Sequence, residues 1–198
     1  MWEDRYASTN DYLFGTAPAQ VLVENPGLFG AGESVLAVSD GEGRNSVHLA
    51  QRGMKVTAFD LSPTAVERGR ALAANAAVSV AFHLSDWDGW DWTVERDLVA
   101  GIFIQFADPE FRARQFADMR RAVRPGGVLF LHGYTREQIA LGTGGPPFVD
   151  NMYTVEMLAD AFGDWDIQRL AAYERDVQEG RGHSGRSALV DLMVRRPT

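Results

Sequence analysis

The feature that most constrains the fold is a segment in which two strand-like runs flank a glycine-containing loop and an amphipathic stretch. This segment is residues 35–60, VLAVSDGEGRNSVHLAQRGMKVTAFD. Gly41 and Gly43 follow the first apolar run, a helical pattern begins near Arg44, and the second run ends on Asp60. A strand, a helix and a second strand in this order predict a parallel crossover, the unit from which nucleotide-binding α/β sheets are built.

The alternation of strand and helix patterns continues beyond this crossover. Ser62 and Asp108 are each followed by proline and a helical pattern, so we expect them to be N-caps. Thr154 is expected to cap a later, shorter helix. Apolar or alternating runs at 78–83, 97–104 and 128–134 predict strands, and RPGG at 124–127 is expected to close the preceding helix.

Two long strand-like runs in the tail, at 166–177 and 186–196, are separated by a glycine-rich turn. Adjacent runs of this kind predict an antiparallel pair. Together with the preceding alternation, they predict an α/β fold with a Rossmann-like, doubly wound and mostly parallel sheet. No linker or repeat divides the chain, so residues 1–198 are expected to form one domain.

Composition excludes several classes of protein. The 198 residues suffice for one α/β domain, and the formal net charge of −8 disfavours binding to nucleic acid or anionic membranes. The absence of cysteine excludes disulfides and thiolate metal ligands, and we expect no metal site. The N-terminal residues have no signal-peptide pattern, and the longest apolar run is too short to span a bilayer. A cytoplasmic monomer or homodimer is therefore expected.

Acidic residues in the glycine loop discriminate between ligands. The glycines let backbone N–H groups approach an anionic group at the start of a helix, although a tight turn without a ligand is the alternative. Asp40 and Glu42 would each repel a pyrophosphate by about 4 kcal/mol per close charge pair at an effective dielectric constant of about 20. S-adenosylmethionine instead carries an ammonium, a sulfonium and one carboxylate. The loop therefore favours S-adenosylmethionine over a dinucleotide.

Two further acids follow the second and third predicted strands. Asp60 stands where an acid can accept hydrogen bonds from both ribose hydroxyls, and Ser62 already supplies the alternative role of helix cap. Asp86 can accept a hydrogen bond from the adenine amino group, and Trp87 can cover the face of the ring. Trp90 and Trp92 are expected to return to the core.

These segments resemble the class I S-adenosylmethionine-dependent methyltransferases, most closely the small bacterial group akin to tellurite-resistance and thiopurine methyltransferases. The resemblance rests on MWEDRY, DYLFGT, DGEGRNSVHLAQRGMKVTAFDLS, RPGGVLFLHGYT, TGGPP and EGRGHSG. It implies a seven-stranded sheet whose last strand is antiparallel. Many of these enzymes carry an acid where this chain has Ala37, and Asp40 is expected to substitute for it.

The resemblance also implies a set of cofactor contacts. Residues around the methionyl part would be Asp40, Gly41, Gly43, Arg44 and Asn45, with Glu42 as a second acid of the loop. Asp60 and Leu61 would meet the ribose, Asp86 and Trp87 the adenine, and Ile102 and Phe103 the far wall of the site.

The sequence offers fewer candidate residues for contact with the methyl acceptor than for contact with the cofactor. Methyl transfer needs alignment and exclusion of water, and a base only when the acceptor is protonated. His183 and Arg181, in the turn before the last strand, and Gln105, just past the fourth strand, are the candidates for catalysis. The other histidines, His48, His83 and His132, are interpreted as packing residues or as core histidines with satisfied hydrogen bonds.

The first 25 residues are rich in aromatic side chains. They are expected either to form a lid over the cofactor or to cover an exposed edge of the core; the side chains concerned are Trp2, Tyr6, Tyr12 and Phe14.

The sequence leaves three functional hypotheses. The first is transfer of a methyl group to a small molecule such as a thiol or a metalloid oxyanion. The second is a protein that binds S-adenosylmethionine without catalysis, and the third is a nicotinamide-dependent oxidoreductase.

Overall fold

Strands and helices alternate along most of the chain. The computed structural model describes residues 2–28, 30, 32–180 and 184–198. The strands are β1 (Ser34–Val38), β2 (Lys55–Asp60), β3 (Val80–Leu84), β4 (Arg96–Ile102), β5 (Val123–Tyr134), β6 (Asp166–Gln178) and β7 (Ser184–Arg195). The helices are α1 (Trp2–Ala7), α2 (Gln20–Glu24), α3 (Arg44–Gln51), α4 (Pro63–Asn75), α5 (Pro109–Ala122), α6 (Gln138–Leu141) and α7 (Val155–Phe162). Within this described part, no helix combines the length and apolarity needed to cross a bilayer.

The strands form a seven-stranded sheet of order β3-β2-β1-β4-β5-β7-β6. β2 pairs in parallel with β1 and β3, β4 pairs in parallel with β5, and β7 is antiparallel to both β5 and β6. The predicted fold class is therefore confirmed, including the antiparallel last strand.

By internal contacts the described chain divides into two compact units, residues 2–91 with 179–180, and residues 92–178 with 184–198. The expectation of a single domain stays a prediction.

The first unit contains β1 to β3 with α1 to α4. Ser62 caps α4 as expected, since its hydroxyl accepts a hydrogen bond from the Ala65 N–H at 3.0 Å and Pro63 begins the helix. The inner faces of the strands are almost completely buried, with Val35 and Ala58 at 0% exposure. This burial fixes the carboxyl ends of β1 and β2, from which the candidate site is built.

The second unit contains β4 to β7 with α5 to α7. Asp108 and Thr154 cap α5 and α7, each accepting a backbone hydrogen bond from the residue three positions later. Leu131 and Met119 are fully buried together, and a Cβ atom built on Gly101 would lie within 3.1 Å of both side chains. This close approach explains why β4 carries a glycine in an otherwise apolar run.

The RPGG segment departs from the sequence prediction. We expected it to close α5 before a strand at Val128, but β5 begins at Val123. Arg96 pairs with Val123 and Leu98 pairs with Val128, so residues 124–127 bulge opposite a single residue of β4. A proline without an N–H and a glycine at φ 74° suit such a bulge.

Replacing Asp108 tests the cap that begins α5. Its carboxylate accepts a hydrogen bond from the Phe111 N–H at 2.9 Å. Loss of an N-cap costs about 1 kcal/mol, so Asp108→Ala should lower the free energy of unfolding by about that amount in urea titrations. Asp108→Asn is the matched control, because asparagine caps as well as aspartate. Equal losses in both variants would contradict the capping role.

Candidate functional site

The glycine loop between β1 and α3 has a backbone that side chains would obstruct. Ser39, Gly41 and Gly43 all have positive φ, at 48°, 62° and 85°. A Cβ atom on Gly43 would lie 2.8 Å from the Phe82 ring and 2.9 Å from the Cα atom of Gly69. Gly43 is therefore required both by its backbone conformation and by the close approach of α4.

Asp60 ties the glycine loop to the end of β2. Its Oδ2 atom accepts a hydrogen bond from the Gly41 N–H at 2.9 Å, and its Oδ1 atom accepts one from the Ser62 N–H at 3.0 Å. Burial raises the pKa of this carboxyl, and the backbone hydrogen bonds oppose that rise. Each oxygen keeps a further lone pair for a hydroxyl donor.

Asp40 is a second carboxylate in the same loop. It is half-buried, and its Oδ2 atom accepts a hydrogen bond from the Ser46 hydroxyl at 2.5 Å. Burial raises the pKa of Asp40 to about 7; the charge of Asp60 adds to this rise, while Ser46 and Arg44 oppose it. A cation placed beside Asp40 would favour its ionised form.

Glu42, expected as a second acid of the loop beside the cofactor, is paired with other groups of the chain. Its side chain is buried, and its carboxylate accepts hydrogen bonds from Arg68 Nη1 and from the Leu13 N–H, both at 2.7 Å. The negative charge of Glu42 is thus paired inside the first unit. The electrostatic preference of the loop for a cation then depends on Asp40 and Asp60.

Arg44 and Asn45, expected around the methionyl part, hold a different segment of the chain. The Arg44 guanidinium donates to Glu179 Oε2 at 2.7 Å and to the Ala17 carbonyl at 3.1 Å. The Asn45 side-chain oxygen accepts a hydrogen bond from the Ala19 N–H at 2.8 Å. Both side chains therefore fix the N-terminal segment on α3.

Residues 2–20, here called the N-terminal strap, lie on α4 and on the glycine loop. The Glu3 carboxylate accepts hydrogen bonds from the Ser62 and Thr64 hydroxyls at 2.5 and 2.6 Å. A Cβ atom on Gly41 would lie 2.6 Å from the Tyr6 hydroxyl oxygen. Burial, and then the charges of nearby acids, raise the pKa of Tyr6. The aromatic N-terminus thus brings a protonated phenol onto the loop.

The ends of β2 and β3 present exposed apolar side chains. Leu84 ends β3 and pairs with Asp60, and Leu61 follows Asp60 in the chain; Leu61 and Leu84 are 47% and 57% exposed. Asp86 is also exposed, and one of its oxygens accepts a hydrogen bond from the Gly89 N–H at 2.7 Å. Trp87, predicted to cover an adenine, is buried edge-on against the Phe59 ring. The exposed side chains of Leu61 and Leu84 offer an apolar surface that a planar ring could cover.

Trp90 and Trp92 both contribute to the packing of the chain. Trp90 stacks on Phe59 with ring centroids 4.5 Å apart, and Trp92 is buried.

In the second unit, Ile102 ends β4 and Phe103 follows with a strained φ of 58°. Gln105 is buried, and its amide donates to the Tyr134 carbonyl at 2.7 Å while its side-chain oxygen accepts from the Tyr134 N–H at 2.6 Å. Both ends of this side chain therefore hold the β5 backbone. The predicted catalytic role of Gln105 stays a prediction. His183 and Arg181 lie outside the described residues.

Three groups near these strands were missed by sequence reasoning. They are the Tyr6 hydroxyl on the glycine loop, the Glu42–Arg68 pair, and a buried contact between His132 and Asp191. The last carried a signal, because Asp191 interrupts the apolar run ALVDLMV.

Comparison with known sequences identifies a family match. Residues 35–127 match the family model described as a methyltransferase domain. The carboxy-S-adenosyl-L-methionine synthase of Aeromonas salmonicida (strain A449) is 36% identical over 86 residues, which are 42% of this chain and 35% of that protein. The chain thus spans about a third of the length of the curated relatives that it matches.

Solved structures with the same fold are also known. One comes from work on the conversion of a disulfide bond into a thioacetal group during echinomycin biosynthesis; it has a TM-score of 0.77 and 22% identity, covering 95% of this chain and 85% of that chain. TehB from Haemophilus influenzae has a TM-score of 0.74 and 16% identity, covering 98% and 67%. At these identities the similarity shows the fold alone.

The close packing at Gly43 can be tested with a matched pair of variants. Gly43 and Gly32 have nearly the same φ, 85° and 86°, but a Cβ atom on Gly32 would meet nothing within 4 Å. Gly32→Ala should therefore cost only the backbone strain, about 1–3 kcal/mol. Gly43→Ala should cost more, because Phe82 and Gly69 must also move. If urea titrations show that both variants lose the same free energy of unfolding, the packing around Gly43 adapts to a side chain and does not require glycine.

Proposed function

We propose that this chain transfers the methyl group of S-adenosylmethionine to a small-molecule acceptor, from the premise that residues 35–127 match the family model described as a methyltransferase domain. The observation that carries the proposal is the pair of carboxylates at the glycine loop, Asp40 and Asp60. They give the loop a negative character that suits a cationic ligand and opposes a pyrophosphate.

The residues of the first unit fit the parts of the cofactor. Asp60 keeps lone pairs for the ribose hydroxyls, and Asp40 is placed to attract the ammonium or the sulfonium. The exposed apolar surface of Leu61 and Leu84 suits the adenine ring. The similarity to a carboxy-S-adenosyl-L-methionine synthase supports a ligand of this class.

The chain contributes alignment and exclusion of water to the reaction. When bound, the cofactor supplies a methyl carbon whose bond to a positively charged sulfur breaks as the acceptor attacks in line. Binding and orientation by Asp40, Asp60 and the glycine loop would convert an encounter in solution into a prearranged reaction. The N-terminal strap, within the predicted lid of residues 1–25, would shield the loop from water through Tyr6 and Phe14.

The chemical class of the methyl acceptor is the more specific part of the proposal. The sequence resemblance to tellurite-resistance and thiopurine methyltransferases favours a metalloid oxyanion or a thiol, and one structural neighbour comes from work on sulfur chemistry. His183 and Arg181 remain the predicted acceptor residues of the turn before β7, in a monomer or homodimer.

A direct assay separates the three hypotheses. The protein is incubated with S-adenosylmethionine and, in turn, tellurite, selenite, aliphatic and aromatic thiols and phenols, and methylated product is measured together with S-adenosylhomocysteine. Product from at least one acceptor supports the proposal. Calorimetric binding of S-adenosylhomocysteine without turnover would favour the non-catalytic alternative. Tighter binding of NAD than of S-adenosylhomocysteine would favour the oxidoreductase and overturn the proposal.

Asp60→Asn tests the ribose contact. Asparagine loses the charge that strengthens hydrogen bonds from the ribose hydroxyls, each worth about 1.5–3 kcal/mol, so S-adenosylhomocysteine should bind at least about tenfold more weakly. Asp88→Asn removes the same charge from an exposed position and is the control. Calorimetry provides the measurement, and equal affinities of Asp60→Asn and the native chain would remove Asp60 from the site.

The pH dependence of binding tests Asp40. Because the pKa of Asp40 is raised to about 7, the carboxyl is largely protonated below that pH and ionised above it. A cationic ligand favours the ionised form, so affinity for S-adenosylhomocysteine should rise as pH increases through about 7. Asp40→Asn should bind more weakly at high pH and lose this slope. A slope that persists in Asp40→Asn would assign it to another group.

A further inference from the structure

A groove of about 570 Å³ lies between α5 and α7, within the second unit. Most of its lining side chains are apolar, among them Phe116 and Ala117 from α5 and Met157 from α7. Two arginines of α5 also line it, Arg112 near the start of the helix and Arg120 near its end. These arginines are eight residues apart, which is about 12 Å along an α-helix. The groove is thus an apolar surface with a cation toward each end.

The charge of Arg120 is already balanced by the chain. Its Nη2 atom is 2.5 Å from Asp164 Oδ2, and its Nη1 atom donates to the Ala161 carbonyl at 2.7 Å. The guanidinium also lies over the Trp165 ring, 4.7 Å from its centroid. Asp160, which lines the groove one helical turn before Asp164, is a further exposed acid at this end. An anionic ligand therefore gains little from the Arg120 end.

Arg112 differs because its charge has no acidic partner. Its side chain is 8% exposed, and its Nη1 atom donates to the Asp150 carbonyl. Across residues 2–28, 30, 32–180 and 184–198, no carboxylate forms an ion pair with this guanidinium, and its Nε and Nη2 atoms have no hydrogen-bond partner. Burial lowers the pKa of Arg112, because a charge removed from water is costly unless it is paired.

Buried side chains near Arg112 do not compensate this charge. The Tyr153 ring packs on the Phe116 ring with centroids 5.8 Å apart, and its buried hydroxyl has no hydrogen-bond partner in the described chain. Gln115, three residues beyond Arg112 on α5, is fully buried, and both polar atoms of its amide are equally unpaired there. Buried polar groups are nearly always hydrogen-bonded, so such a concentration of unpaired groups is unusual. The remaining donors of Arg112 are therefore available to a group that enters the groove.

The free donors of Arg112 select the charge and shape of that group. The Nε and Nη2 atoms present parallel N–H groups, which match the two oxygens of a carboxylate. A monoanion balances one guanidinium, whereas a dianionic phosphate would add negative charge near Asp108 and Asp150, whose charges already act on Arg112. The apolar walls at Phe116 and Met157 suit a hydrocarbon body attached to the carboxylate.

We propose that the groove between α5 and α7 binds an organic monocarboxylate with an apolar body. Nε and Nη2 of Arg112 hold the carboxylate, and the body lies against Phe116 and Met157. Every residue of this site belongs to the second unit, and no S-adenosyl ligand is needed to fill it. The inference is therefore independent of the proposed methyl transfer.

The first experiment titrates the native protein with 3-phenylpropionate and follows labelled methyl groups by NMR. The signals of Ala113, Ala117 and Met157 should shift saturably, whereas that of Met54 in the first unit should not. The amide 3-phenylpropanamide has the same body without the charge, and acetate has the charge without the body. Both should bind at least about tenfold more weakly, since charge-assisted hydrogen bonds are about twice as strong as neutral ones and apolar burial adds to them.

Three results of this titration would overturn the proposal. Equal affinities for the acid and the amide would mean that Arg112 does not contact the ligand. Shifts at Met54 as large as those at Met157 would mean adsorption to the whole surface. Tighter binding of inorganic phosphate than of 3-phenylpropionate would mean that the ligand class is wrong.

Variants of two arginines on the same helix test the carboxylate contact. Arg112→Gln should weaken binding of 3-phenylpropionate at least about tenfold, and Arg112→Lys should weaken it less, because lysine keeps the charge but loses the paired donors. Arg114→Gln removes the same charge from an exposed position and is the control. Its affinity should stay within about twofold of native. Equal losses in Arg112→Gln and Arg114→Gln would reduce the effect to net charge and contradict the proposed contact.

A variant that leaves Arg112 in place tests the groove itself. Ala117 is exposed and lines the groove, so Ala117→Phe should fill it without disturbing the core and should abolish the saturable shift at Met157. Ala74→Phe places the same side chain at an exposed position of α4 and should bind as the native chain does. Circular dichroism verifies that both variants fold. Native affinity in a folded Ala117→Phe variant would show that the ligand binds elsewhere.

Discussion

The candidate site depends on the double hydrogen bond through which Asp60 joins two backbone segments. One carboxylate oxygen holds the Gly41 N–H and the other holds the Ser62 N–H, so the glycine loop and the start of α4 are fixed to the end of β2 by one side chain. Backbone donors stabilise the charge of a carboxylate that burial would otherwise neutralise. Because the same oxygens keep unused lone pairs, the group that shapes the loop can also contact a ligand. Structure and binding are therefore coupled at Asp60.

Two ion pairs of the first unit also hold the N-terminal strap. Glu42 pairs with Arg68, Arg44 pairs with Glu179, and in each pair at least one side chain is buried. A buried charge is costly without its partner, so loss of one member destabilises much more than the intact pair stabilises. Glu42 also accepts a hydrogen bond from the strap at Leu13. The position of the strap and the conformation of the loop on which a ligand is expected are therefore linked through Glu42.

Local patterns in the sequence were sufficient to predict the fold but not to predict the partners of the buried side chains. The caps at Ser62, Asp108 and Thr154, the glycine loop and the terminal antiparallel pair depend on residues close together in the chain, and all were predicted. The partners of Glu42, Gln105 and Asp191 are remote in sequence, and pattern reasoning has no access to them. The RPGG bulge was missed because its turn chemistry is the same at a helix end and inside a strand.

Asp60 in the first unit and Asp191 in the second are both buried, but their pKa values shift in opposite directions. Asp60 accepts hydrogen bonds from backbone N–H groups, and burial raises its pKa; Asp191 contacts an imidazole and a guanidinium, and its pKa is lowered. A carboxylate with only backbone donors retains affinity for an incoming hydroxyl or cation. One that is already bound by cationic and tyrosyl donors has no such capacity, but it can hold an imidazole in a single tautomer. The same side chain thus suits ligand binding in the first unit and holds an imidazole in place in the second.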